Sequence, residues 1–118
     1  MKLWFREGKY IDSWSAVHLT SGFGLGIIFL YLFRVSIIYS TIISLIILIL
    51  AEIVEIKFVE ETRQNRVLDV LIGSLGFIIS LIAFLYLSEI TLIILSVTLL
   101  VIWIILNVCG WREFAKSR

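Results

Sequence analysis

Long apolar runs separated by short polar breaks order this chain. Four of them, at about residues 15 to 33, 36 to 58, 67 to 87 and 90 to 110, each approach the ~20 residues that carry a helix across a bilayer. The pattern predicts an all-α protein: an integral membrane bundle of four transmembrane helices, short and antiparallel, forming one domain over residues 1–118. So little chain lies outside the spans that chemistry has to sit inside the bundle, at its mouth, or at an interface. Before the first span, Trp4, Phe5, Tyr10 and Trp14 alternate with Lys2, Arg6, Lys9 and Asp12. That interleaving predicts a short amphipathic N-terminal segment at the headgroup level.

Composition removes the soluble alternative, with 61% hydrophobic residues, a mean hydropathy of +1.11 and no proline in 118 residues. The first span follows about fourteen polar and aromatic residues and no A-x-A-like site, so it reads as a retained helix and not as a cleaved signal. Nine of the ten Lys and Arg residues flank one side of the spans: Lys2, Arg6 and Lys9, then Lys57, Arg63 and Arg66, then Arg112, Lys116 and Arg118. Arg34 falls on the other. This bias predicts a multi-pass protein of the cell membrane with both termini and the central loop cytoplasmic. The bases are few per segment and adjacent to the membrane, so membrane lipids and not nucleic acid are the expected partners. Cys109 is the sole cysteine; no intrachain disulfide can form, and a small apolar packing role is expected.

Within the spans the polar residues are selective. The run from Ile42 to Ile56 is aliphatic or small except for Glu52 and Glu55. Each intramembrane acid costs roughly 2.5 to 3.5 kcal/mol on insertion scales, so a pair needs a partner or a purpose. On the first span His18, Gly22 and Gly26 share a stripe with Ser15 and Ser21 beside it; on the second, Ser44, Ala51 and Glu55 share a face with Glu52 adjacent. On the third, Asn65, Asp69, Gly73, Gly76 and Ser80 repeat the arrangement. Small residues at this spacing let helices approach closely, so Gly22, Gly26, Gly73 and Gly76 are expected packing positions. The fourth span has no ionisable residue between Glu89 and Arg112 and reads as a lipid-facing support.

At 1.5 Å per residue, His18 lies ~5 Å inside its boundary, Glu55 ~5 Å, Glu52 ~9 Å and Asp69 ~3 Å, which predicts one polar layer beneath the headgroups. An imidazole and three carboxylates converging there suit a divalent metal ion or a set of coupled protons. Glu52, Glu55, Asp69 and His18 are therefore the candidate metal ligands and catalytic groups. Arg63, Asn65 and Arg66, at the entry to the third span, are candidates to bind a substrate phosphate. Plainer roles exist for each. His18 can be a helix-packing hydrogen-bonder, Asp69 a first-turn acid at a helix N-terminus, Ser21 a hydroxyl bonded to its own helix, and the charged loop around Arg63 a solvated turn.

The series Asp12-Ser-Trp14-Ser-Ala-Val-His18-Leu-Thr-Ser-Gly22-Phe23, then Glu52-Ile-Val-Glu55, then Asn65-Arg66-Val-Leu-Asp69 through to Gly76-Phe77 distantly resembles the small VanZ-like membrane proteins and related families. The resemblance covers about residues 12 to 80. It implies that Asp12, His18, Glu52, Glu55, Arg66, Asp69 and Gly76 are motif residues and that the protein acts in the cell envelope.

Two function classes follow. The first is a membrane enzyme acting on a lipid or lipid-linked headgroup, with Asp12 among the substrate-binding residues. The second is a non-catalytic accessory or stabilising subunit, in a homo-oligomer or larger membrane complex, whose polar layer fixes helix register. Proton or metal-ion transport is a third and weaker reading, because the outer halves of the spans lack ionisable groups.

Overall fold

The computed structural model describes residues 14–55 and 63–117, and the amphipathic N-terminal segment expected over the first residues lies outside them. All described elements are helices. They are α1 (Trp14–Gly26), which continues as a π-helical stretch (Ile27–Leu32), α2 (Ile37–Glu55), α3 (Arg63–Tyr86) and α4 (Glu89–Ser117). All four spans are long and apolar enough to cross a membrane, Trp14–Leu32 being counted as one.

The connections explain where the helices begin and end. Ser36 precedes α2 and accepts a hydrogen bond from the Tyr39 amide at 3.3 Å; Ser88 precedes α4 and does the same for Thr91 at 3.3 Å. Each satisfies an amide that the first helical turn leaves without a partner. After the π-helical stretch the Val35 amide reaches back to the Phe29 carbonyl at 2.8 Å, a closure one residue wider than that of a Schellman turn. Arg34 occupies its left-handed position at φ 56°, where glycine is usual.

Parallel helices α1 and α3 form the centre of the bundle. A Cβ on Gly22 would strike the Gly73 carbonyl, one on Gly76 the Leu19 carbonyl, and one on Gly26 the Ser80 hydroxyl. From Gly22–Gly73 to Gly26–Ser80 the residue numbers rise together, so the two helices run the same way. The small residues of α1 and α3, expected to let helices approach closely, let these two backbones touch. Helix α2 lies against α3, burying Ser40, Ser44, Leu48 and Glu52 at every fourth position. The expected face through Ala51 and Glu55 is therefore displaced by one residue. Ala51 is exposed and Glu55 half-buried, because Leu48 must cover the gap at Gly73.

Helix α4 runs antiparallel to α1. The Trp14 and Trp111 rings meet edge-on at 5.3 Å near one end, and the Tyr31 hydroxyl donates to Glu89 at 2.7 Å near the other. Phe23, Ile27, Ala83 and Leu92 form one buried cluster; Trp14 and Val17, with Leu106 and Cys109 against them, form another. Cys109 is thus a packing residue, as expected. Among the described residues Leu92 is the one large side chain of α4 in the buried core, and the helix turns residues such as Ile94, Leu100 and Ile105 outward. Such a surface suits hydrocarbon and not water.

Candidate functional site

Three helices deliver the polar side chains to one point. His18 comes from the second turn of α1, Glu52 and Glu55 from the last turn of α2, and Asp69 from the second turn of α3. His18 Nε2 stands 3.2 Å from Asp69 Oδ2 and 3.7 Å from Glu52 Oε1. One candidate ligand atom from each of His18, Glu52, Glu55 and Asp69 lies within 4.8 Å of all the others. Glu52 is 6% exposed and Asp69 2%, so two carboxyl groups are withdrawn from solvent within reach of one imidazole. Asp69 Oδ1 is buried with no hydrogen-bond partner among the described residues.

This donor set fits a metal ion chemically. A nitrogen and three carboxylates are what zinc, manganese or iron accept, whereas magnesium and calcium favour oxygen alone. Four ligands held tetrahedrally ~2.0–2.2 Å from one ion sit about 3.3–3.6 Å apart, so the widest separations in the cluster must shorten by roughly an ångström for all four groups to share a centre. Without a cation the same carboxylates repel one another, with only the His18 imidazole set between two of them.

The neighbours expected to bind substrate are disposed unevenly. Asn65, one turn ahead of Asp69, is 1% exposed. Arg66 is half-buried and Arg63, the first residue of α3, is exposed. Asp12 lies outside the described residues. Gly22, Gly26, Gly73 and Gly76 all serve helix contacts, and Gly22 and Gly73 each stand one turn beyond a cluster residue.

Sequence reasoning missed the apolar cavity of about 640 Å³ that opens onto His18, Glu52 and Asp69. It also missed Trp103, whose indole N–H donates to Ser21 Oγ at 2.8 Å and ties the middle of α4 to α1. Ser21 was expected to bond within its own helix. The signal was available: an indole N–H in the middle of an apolar span needs an acceptor, and hydrocarbon supplies none.

No protein-family model, curated protein or solved structure matches the chain. Fold and site together define a multi-pass helical membrane protein with a buried His/Glu/Asp cluster at one end of its bundle.

Proposed function

We propose that this chain is a membrane enzyme acting on a lipid or lipid-linked headgroup, with His18, Glu52, Glu55 and Asp69 holding a divalent metal ion at the cytoplasmic end of the bundle. The observation that carries this reading is the convergence of those four groups, from three helices, within 4.8 Å of one another. Helix burial alone does not call for it, since each intramembrane acid costs energy that an apolar residue would avoid. The distribution of Lys and Arg supports a cytoplasmic site with both termini on that side, in the cell membrane. The distant VanZ-like resemblance, carried by the same residues, adds a cell-envelope setting.

A bound metal ion there would polarise a phosphoryl or carbonyl oxygen and lower the pKa of a bound water. The chain's own groups divide the remaining tasks. Glu52, Glu55 and Asp69 would fix the ion's position, and His18, least buried of the paired groups with its side chain 17% exposed, would complete the set as its nitrogen ligand. Arg66 and Arg63, at the mouth, suit a phosphate in the headgroup, with Asn65 between them in sequence and buried beside Asp69.

Elemental analysis of the purified protein beside Glu52→Gln and Asp69→Asn tests this, with thermal stability recorded on each sample. A stoichiometric metal in the wild type, lost in both folded variants, is expected. No metal in the wild type, together with destabilised variants, would refute the metal-dependent reading. It would favour a non-catalytic subunit of a homo-oligomer or larger membrane complex, for which the observation is the pairing of His18 with both Glu52 and Asp69 across three helices. Transport of protons or ions gains nothing from the cavity, whose lining beyond the cluster is mainly apolar and whose Thr20, Ser21 and Ser96 hydroxyls are already bonded within the protein.

A further inference from the structure

The polar cluster closes one end of the 640 Å³ cavity, and the rest of that cavity follows α1 away from it. Its floor is the face of α1 carrying Val17, Ser21, Gly24, Ile28 and Tyr31; its walls are α2, through Ile47 and Ala51, and α4, through Val97, Leu100 and Trp103. It is thus a groove between two helices that flank the central pair from different sides.

Three observations say what it is built to hold. The hydroxyls along it are already bonded inward: Thr20 to the Ala16 carbonyl at 2.9 Å, Ser96 to the Leu92 carbonyl at 2.7 Å, and Ser21 accepting from Trp103. The groove therefore presents hydrocarbon where the sequence is rich in Ser and Thr. Gly24 faces it with nothing within 4 Å of the position a Cβ would take, so no helix of this chain requires glycine there, in contrast to Gly22 and Gly26. Thirdly, the groove runs from His18 to Tyr31, thirteen residues or about 20 Å, more than the ~15 Å depth of one leaflet's hydrocarbon.

We infer that this groove holds one long, linear hydrocarbon chain of an amphiphile whose anionic head lies against the His18/Glu52/Asp69 cluster and its metal ion. The inference rests on the metal-site reading for the head and on the groove alone for the chain. It names the substrate class as a lipid with a single extended chain that crosses the bilayer midplane and a phosphate-type head. A helix from a second copy is the competing occupant. It fits less well, because an apolar helix bonds its own amides and brings no group to bind a cation held at the polar end, where Asp69 Oδ1 is buried with no hydrogen-bond partner among the described residues.

The probe is hexadecyl phosphate with a diazirine at its chain terminus, irradiated with the purified protein in detergent and mapped by peptide mass spectrometry. Labelling is expected at the far end of the groove, on Tyr31, Leu32 or Ile93. It should fall at least tenfold in Gly24→Trp and in Ala51→Phe, which fill the groove from its floor and from one wall. Both variants should keep the wild-type metal content and thermal midpoint, and either one meeting that condition suffices for the comparison. Label scattered over the outward face of α4, or undiminished in a folded groove-filling variant, overturns the inference. So does a dimer in native mass spectra that Gly24→Trp splits into unlabelled monomers. Labelling that behaves as expected on a protein without metal upholds the chain-binding groove and sinks the metal reading alone; metal without labelling does the reverse.

Discussion

Two alanine substitutions, two residues apart on α1, separate glycine needed for helix contact from glycine facing open space. At Gly22 the added Cβ would fall on the Gly73 carbonyl, with Gly73 Cα at 3.0 Å. Backbone atoms cannot rotate aside, so the two central helices must part. Overpacking of this kind costs ~1–3 kcal/mol, and a fixed backbone obstacle places Gly22 at the upper end. Separation by even 0.5–1 Å also forfeits about a quarter to a half of each dispersion contact along the seam, which the buried Phe23 and Phe77 depend on. Against this, alanine recovers up to about 1 kcal/mol of helix propensity. The net for Gly22→Ala is a loss of about 2 kcal/mol.

Gly24→Ala meets nothing within 4 Å and keeps the propensity gain, so it should be neutral or stabilising by up to about 1 kcal/mol. The expected difference between the variants is therefore about 3 kcal/mol, about 150-fold in an equilibrium constant. Reversible unfolding in mixed micelles, followed by far-ultraviolet circular dichroism, reads it directly. Equal stabilities for the two variants, or Gly24→Ala as the weaker, would refute the close parallel contact of α1 with α3.

Further substitutions probe other contacts. Gly73→Ala should cost less than Gly22→Ala, since its nearest obstacle is the end of the Leu48 side chain at 2.8 Å, which can turn aside; the same unfolding assay ranks them. Trp103→Phe removes the hydrogen bond to Ser21 and should cost roughly 0.6–1.7 kcal/mol, the range for interhelical hydrogen bonds in membranes, and Ser21→Ala in the same background should add almost nothing. Ser36→Ala should lose ~1 kcal/mol through the N-cap of α2, with Ser36→Asp recovering most of it. If the cluster holds a metal ion as proposed, a chelator should lower the thermal midpoint of the wild type and leave that of Glu52→Gln unchanged, because only a state that binds the ion is stabilised by it.

Much of this was open to reading in the sequence because a membrane simplifies it. Hydrocarbon demands internally bonded backbone, so long apolar runs translate into helices with little ambiguity, and acids within them stand out against their surroundings. The stripe from Asn65 to Ser80 was legible for that reason, and it is buried as its spacing implied. The buried face of α2 was not, since an all-apolar helix has no polar side to orient it, and the choice between Glu52 and Glu55 was settled by where Leu48 packs. Nor was the π-helical stretch from Ile27 to Leu32: its residues are ordinary helix formers, and the widened turn depends on how the chain reaches Arg34. The groove was hidden because Gly24 looks the same in sequence as Gly22 and Gly26, and only the surrounding helices distinguish them.

The glycine seam and the polar cluster are one construction. Gly22 follows His18 by four residues and Gly73 follows Asp69 by four, so the backbone contact lies one turn above the 3.2 Å His18–Asp69 pair on the same two faces. Because α1 and α3 are parallel, each step along one is matched by a step along the other, and the closeness of the glycines fixes the closeness of the ionisable pair. An antiparallel pair in contact at Gly22 and Gly73 would carry His18 and Asp69 to opposite sides of that contact, about 12 Å apart along the axis. Parting the helices at Gly22 must therefore loosen the cluster as well as the packing. Gly22→Ala should lose metal along with stability although it touches no ligand, while Gly24→Ala keeps both. Full metal content in a destabilised Gly22→Ala protein would show that the cluster is held by other contacts, and that the small residues serve the fold alone.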